Sequence, residues 1–314
     1  MDKLVSVIMS TYNERLDWLS KAVESILNQS YYNLQFLVVI DNPQNADLIN
    51  LLKKYAEEDK RITLIFNDVN VGLVKSLNKA LKHVKGEYVA RMDADDISLP
   101  DRLEKQVAFL ENNTCYDLVG GNVSWINEND EVILEKNNII TSPKKLKMVI
   151  KYRNALHHPS WMFRSSILND SRVKEYRNVP LAEDYDFTTR LVSYGYNITN
   201  IEDVVLKYRL RENGISISNT FNQIKMSEYV RKMYIRRIKG LEDQYDEDEM
   251  RDILKDCKGK ELFEHFENNK RGWMSKNIIY GRLYEMISSI FSKYHRMVFI
   301  NCTIYKIKLL FIKG

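Results

Sequence analysis

Three carboxylates stand within four consecutive residues at Asp93-Ala94-Asp95-Asp96, immediately after the apolar run at residues 88–92. Acids this close repel one another unless a cation neutralises them or solvent screens them. An Asp-x-Asp turn is thus a natural clamp for magnesium or manganese, and such ions keep open positions for the oxygens of a diphosphate. An isolated Asp-x-Asp is more often a solvated acidic turn or a helix cap. Its place directly after a buried strand favours the clamp, because open α/β sheets bind ligands beyond the carboxyl ends of their parallel strands. A second acidic run, Leu181-Ala182-Glu183-Asp184-Tyr185-Asp186, opens a helix. The helix dipole alone favours acids in that first turn, and an acid there can equally act as general base toward a hydroxyl.

Polar residues also follow two earlier apolar runs, at Ser10-Thr11-Tyr12-Asn13-Glu14 and at Asp41-Asn42. Thr11-Tyr12-Asn13 has the composition of a helix cap beside a surface tyrosine. It also offers Tyr12 as an aromatic wall for a nucleotide base, with the Asp41 carboxylate accepting a base N–H. Asn70-Val71-Gly72-Leu73 puts Gly72 at a helix entrance where the backbone turns sharply, either as a simple turn or beside a ligand. His157-His158-Pro159 lacks further zinc-type ligands and reads more naturally as a packed loop than as a metal site.

The elements that must position these residues are legible in the apolar periodicity. Residues 4–9, 34–40 and 62–66 are short β-branched or apolar runs suited to buried strands. Between them Leu16, Leu19, Ala22, Val23, Ile26 and Leu27 share one helical face, and residues 46–58 are compatible with a helix. Leu73, Leu77, Ala80, Leu81 and Val84 make a further stripe that Gly86 ends before the strand at 88–92. Ser98 and Pro100 mark a helix start for residues 102–111. Strands alternating with helices predict an α/β fold with a mostly parallel sheet and right-handed crossovers. Between residues 119 and 180 the pattern dissolves into short strands and turns, with a hairpin tip at residues 127–130. A helix at 185–193, stopped by Gly195, and a strand at 198–208 follow. From about Phe221 the chain reads as helical, which places a boundary near Ser218 between a catalytic domain, 1–218, and a helical, basic C-terminal region, 219–314.

The chain of 314 residues has a composition typical of a folded soluble protein, and a net charge of +4 that gives no reason to expect a nucleic-acid partner. Cys115, Cys257 and Cys302 are widely spaced and form neither a disulfide frame nor a zinc motif, as expected in the reducing cytoplasm. Neither a leader peptide nor a membrane-spanning window is apparent. The final stretch is different in character: Lys293, Arg296, Lys306, Lys308 and Lys313 alternate with Ile290, Phe291, Val298, Phe299, Leu309, Leu310 and Phe311. Such a segment can lie on the anionic inner face of the plasma membrane, or pack on the core or form a homodimer contact.

Taken in order, residues 5–9, Thr11-Tyr12-Asn13, Asp41, Asn70-Val71-Gly72-Leu73, Asp93-Ala94-Asp95-Asp96 and Glu183-Asp184 resemble inverting glycosyltransferase family 2, of the bacterial polysaccharide-assembly type. The resemblance covers residues 4–216 and implies a GT-A fold, a Rossmann-like nucleotide-binding sheet. It implies a UDP-sugar donor, Mn2+ or Mg2+ as cofactor, and transfer of a hexose or N-acetylhexosamine, with inversion to a β-glycosidic bond, onto a glycan or lipid-linked oligosaccharide acceptor. On these positions Thr11, Tyr12 and Asp41 hold the nucleotide base, Asp93 the ribose region and Asp95 the metal. Asn13, Glu14, Asn70, Gly72, Lys75 and Ala94 complete the nucleotide-sugar pocket. Asp184 is the general base and Glu183 positions hydroxyls, while His158 and Trp161 fall in a stretch near the acceptor. Family members often carry Tyr-Arg-x-His before the last sheet strand; here the run is Tyr208-Arg209-Leu210-Arg211, so Arg209 and Arg211 are expected to assist at the leaving diphosphate. A nucleotidyltransferase would share the sheet and metal acids but should carry a Gly-rich basic loop after the first strand, where this chain has Ser10-Thr11-Tyr12-Asn13-Glu14. A non-catalytic nucleotide-sugar scaffold would have no need of both Asp95 and Asp184.

Overall fold

A computed structural model describes residues 2–211, 219–261 and 263–264. The first half alternates strand and helix as expected: β1 (Val5–Thr11), α1 (Leu16–Leu27), β2 (Leu34–Ile40), α2 (Ala46–Glu58), β3 (Ile62–Phe66), α3 (Leu73–Leu81), β4 (Tyr88–Asp93), the two-residue β5 (Ile97–Ser98) and α4 (Arg102–Asn112). β6 (Leu118–Ile126), β7 (Val132–Leu134), α5 (Pro143–Val149) and β8 (Met162–Arg164) make up the irregular middle, with short 3-10 turns at His158–Ser160 and Ser165–Asn169. α6 (Glu183–Ser193), β9 (Ile198–Arg209), α7 (Thr220–Ile238) and α8 (Glu247–Lys255) complete the described chain.

One nine-stranded sheet runs in the order β3-β2-β1-β4-β8-β6-β9-β5, with β7 on β6. β3, β2, β1 and β4 are mutually parallel, whereas the short β8 lies antiparallel between β4 and β6. Strand alternation divides two cores. Val5, Val7 and Met9 face the side packed with α1, α2 and α4, while Ile8, Leu37 and Val39 face α3, α6 and α7. With both faces covered, β1 and β2 are buried along almost all of their length, which accounts for their largely apolar character. Gly86 packs so closely on β1 that a Cβ there would stand 2.5 Å from the Leu4 carbonyl oxygen. Met226, Tyr229, Val230, Met233 and Tyr234 of α7 join the same core as Tyr185, Phe187 and Leu191 of α6. Among the described residues no helix is long and apolar enough to cross a membrane. The basic, apolar stretch after residue 270 lies outside the described residues, and so does Cys302.

Candidate active site

The parallel register brings the ends of β1, β2 and β4 to one edge, where Ser10 pairs with both Val39 and Asp93. A cavity of about 830 Å³ opens there. One wall consists of residues 10–14, Asp41, residues 70–74, Arg91 and residues 93–96, with residues 208–211 running beside the acidic turn; the other of Asn154, residues 156–159, Asn178, Pro180, Leu181, Glu183, Asp184 and Gln223.

On the first wall the polar loops are tied to each other. The Glu14 carboxylate accepts from the Thr11 hydroxyl at 2.5 Å and the Tyr12 N–H at 2.8 Å, leaving the Tyr12 ring exposed over the cavity. Asn13 Oδ1 accepts from the side chains of Asn42 and Asn45. Asp41 is 3% exposed, and its two oxygens accept from the N–H groups of Val71 and Gly72, each at 2.9 Å, and from Asn67 Nδ2. It therefore anchors the Asn70-Val71-Gly72 loop in addition to facing the cavity. Gly72 has φ 85°, a conformation that side chains oppose, and it caps α3.

The acidic turn is tightly grouped: Asp93, Asp95 and Asp96 each present an oxygen within 4.8 Å of the others. Arg91, buried in β4 two residues before Asp93, forms an ion pair with it. Arg211 Nε lies 3.0 Å from Asp95 Oδ2. Asp96 accepts the Arg209 N–H at 2.8 Å through one oxygen, while its other oxygen is buried without a partner. Burial, and then the charge of Asp93, push the Asp95 carboxyl up to about 6 against the pull of Arg211. Burial and its two neighbours hold Asp96 well above the usual carboxylate range. The protein's own cations thus under-compensate this turn, and hard oxygen donors with one orphaned buried oxygen fit a divalent magnesium or manganese ion.

On the second wall, Leu181 takes φ 65° just before α6, a strained conformation for a γ-branched residue and a kind of strain that gathers at functional sites. The turn it makes delivers Glu183 and Asp184 to the cavity. Asp184 accepts from Asn154 Nδ2 at 2.7 Å and from the Tyr185 N–H at 2.6 Å. Burial lifts both acids: Glu183 to about 7, with Asp184 adding to the effect, and Asp184 above its usual range despite its two donors. Behind them Asp186 is fully buried, 2.8 Å from Arg190 Nε, and Arg237 of α7 joins it to Asp243, which also pairs with Arg177. Helices late in the chain therefore fix the angle of α6.

Most of the predicted residues line this one cavity, and both acid groups do; the placements of Lys75, Trp161 and the Arg209 guanidinium differ from expectation. Lys75 projects from the exposed face of α3 and is not part of the lining. Trp161 is wholly buried beneath His158, at 4.5 Å between ring centroids, because it supports the core under the floor. His158 does reach the lining, but its Nε2 is engaged with the Tyr176 hydroxyl at 3.0 Å and burial holds its pKa well below the usual value. Arg209 turns its guanidinium away to Asp130, at 2.6 Å, to the backbone oxygens of Asp95 and Asn127, and over the Trp18 ring. The run carrying it closes the last strand and does not precede it. Sequence reasoning missed Arg91, Asn154 and Gln223, and it brings out His157 and Tyr208 only as members of their runs, with no place in the site. For Arg91 the signal was present: residues i and i+2 of a strand share a face, so a strand ending in Asp93 puts Arg91 beside it.

Residues 6–171 match the family described as Glycosyl transferase family 2. An uncharacterised glycosyltransferase of Methanocaldococcus jannaschii is 39% identical over 238 residues, spanning 74% of this chain and 80% of the relative. The O-antigen biosynthesis glycosyltransferase WbnJ of Escherichia coli is 31% identical over 210 residues, spanning 66% of this chain and 80% of the relative. Among solved structures, S. aureus TarS 1–349 in complex with UDP-GlcNAc is similar with a TM-score of 0.58 at 19% identity, over 80% of this chain and 70% of that one. That likeness establishes the GT-A fold. By its sequence, the chain belongs to glycosyltransferase family 2.

Proposed function

We propose that this glycosyltransferase is metal-dependent and inverting, and moves a hexose or N-acetylhexosamine from a UDP-sugar to a glycan acceptor, lipid-linked in the cell, during assembly of a surface polysaccharide. The observation that carries the reading is the single cavity lined by two acid groups of opposite setting: a crowded turn suited to a cation, and Asp184 across from it, held by Asn154. The WbnJ name, O-antigen biosynthesis, supports a polysaccharide product. A UDP-GlcNAc complex of a protein with this fold supports the donor.

Asp95, with Asp93 and Asp96, would hold Mn2+ or Mg2+, which when bound offsets negative charge on the diphosphate. Tyr12, Thr11 and the loop anchored by Asp41 take the uridine. Arg211 is the cation available to the leaving diphosphate, since Arg209 is engaged elsewhere. Asp184 accepts the acceptor hydroxyl proton as that oxygen bonds to the anomeric carbon. The bond from that carbon to the diphosphate oxygen breaks, the electron pair leaves with UDP, and configuration inverts. Glu183 orients hydroxyls beside the base. The helices after residue 219 act as a structural extension of the catalytic domain, and the basic segment beyond them meets the inner membrane face.

A panel of UDP-sugars with Mn2+ tests this, read by mass spectrometry for UDP release and by NMR for the product's anomeric configuration. At least one donor should be consumed only when metal is present, giving a β-linked product from an α-linked donor. No turnover of any UDP-sugar, or retention of configuration, would overturn it.

A further inference from the structure

We infer that the part of the cavity where Tyr208 meets His157 is an acceptor subsite for a neutral pyranose, with these two rings as its stacking surface and the amides of Asn178 and Gln223 as its hydroxyl readers. This rests on the glycosyltransferase reading above and adds to it the chemical class of the acceptor. Both rings line the cavity, are only partly buried, and stand 6.3 Å apart at 43°, an open angle that can cover one face of a sugar ring. Aromatic faces suit the C–H surface of a pyranose, while amides offer both donors and acceptors to its hydroxyls. The amides of Asn178 and Gln223 reach the cavity and make no hydrogen bond with another described residue. Asn154 stands on the same wall as His157 and bonds Asp184, so a sugar seated on the rings would present its hydroxyls to the base.

Charge decides the class. Among the described lining residues the permanent cations are Arg91, Arg209 and Arg211, and each is already paired, with Asp93, Asp130 and Asp95 respectively. Burial, and then Arg153, hold His157 below its ordinary pKa, so its ring is neutral at neutral pH. Among the described lining residues Arg91 and Arg209 are thus held by their partners and Arg211 is committed to Asp95 and the donor diphosphate, which leaves none for an acceptor carboxylate or phosphate, and Glu183 and Asp184 repel one. Gln223 belongs to α7, so the helices after residue 219 contribute directly to acceptor choice.

The test uses the full-length protein with Mn2+ and a UDP-sugar that it hydrolyses. Acceptors are matched gluco- and galactopyranosides, their 6-carboxylates and their 6-phosphates. The neutral pyranosides should exceed their charged counterparts in kcat/KM by at least about tenfold. Tyr208→Ala and Gln223→Ala should each raise the acceptor KM by about tenfold, with UDP affinity by calorimetry unchanged, and Tyr208→Phe should restore most of it. A charged acceptor preferred over its neutral partner, transfer to no neutral pyranoside while donor hydrolysis persists, or an unchanged acceptor KM in both alanine variants overturns the inference. Absence of any UDP-sugar turnover by the unaltered protein instead refutes the transferase reading itself.

Discussion

The donor wall and the base wall of the cavity are held in place by different means. On the donor wall the polar residues are extensions of β1, β2 and β4, so parallel register alone aligns Ser10, Val39 and Asp93, and local hydrogen bonds from Glu14 and Asp41 finish the loops. On the base wall no strand end fixes Asp184. Its helix is oriented by a strained Leu181, by Asn154 from the irregular middle, and by a buried ion network reaching Arg237 and Asp243. The donor wall is therefore positioned by strand register, whereas the base wall depends on side-chain contacts from segments outside the sheet. Binding and chemistry should accordingly fail separately.

The largest effect belongs to the base. Asp184→Asn should lower kcat by about 10³-fold with the protein fully folded, as steady-state transfer assays would show; activity within tenfold of the parent would remove Asp184 from that role. Next is the ion network. Arg237→Met removes one of two cationic partners from the buried Asp186 and from Asp243, which keep Arg190 and Arg177, and should cost about 2 kcal/mol in urea unfolding. Lys21→Met, which breaks a partly exposed pair with Asp130, should cost no more than about 0.5 kcal/mol. Equal losses in the two variants would deny the base wall its special dependence on buried ions. The smallest effect is a pH shift. Asp184 must be ionised to accept a proton, its pKa is raised chiefly by burial, and Asn154 opposes that rise by donating to the charged form. Asn154→Ala should therefore move the acid limb of the kcat/KM profile to higher pH, and a limb that stays in place or moves lower would contradict the assignment.

The same division sets how much the sequence reveals. β2 and α2 are readable to the residue at 34–40 and 46–58, because a buried strand and an amphipathic helix each carry their signal locally. β5 and β8, of two and three residues, exist only through pairing with β9, β4 and β6, so no local periodicity marks them. In the site, Asp95 and Asp184 stand out because each follows a readable element boundary. Depth is different. Trp161 has the chemistry of a sugar platform yet is fully buried, while the runs that contain Tyr208 and His157 draw attention to Arg209, Arg211 and His158 and leave the depth of these two rings unmarked. Arg209 and Arg211 are likewise equivalent on paper. Only the hairpin carrying Asp130, folded back from β6, decides that Arg209 serves the scaffold and Arg211 faces Asp95.

The most direct test of two acid groups dividing donor binding from chemistry is calorimetry of UDP with Mn2+ on the parent protein, Asp95→Ala and Asp184→Asn. The account predicts that Asp95→Ala weakens UDP binding by at least about tenfold, while Asp184→Asn binds UDP as the parent does. Equal affinity in Asp95→Ala and the parent, or a comparable loss in Asp184→Asn, would contradict it.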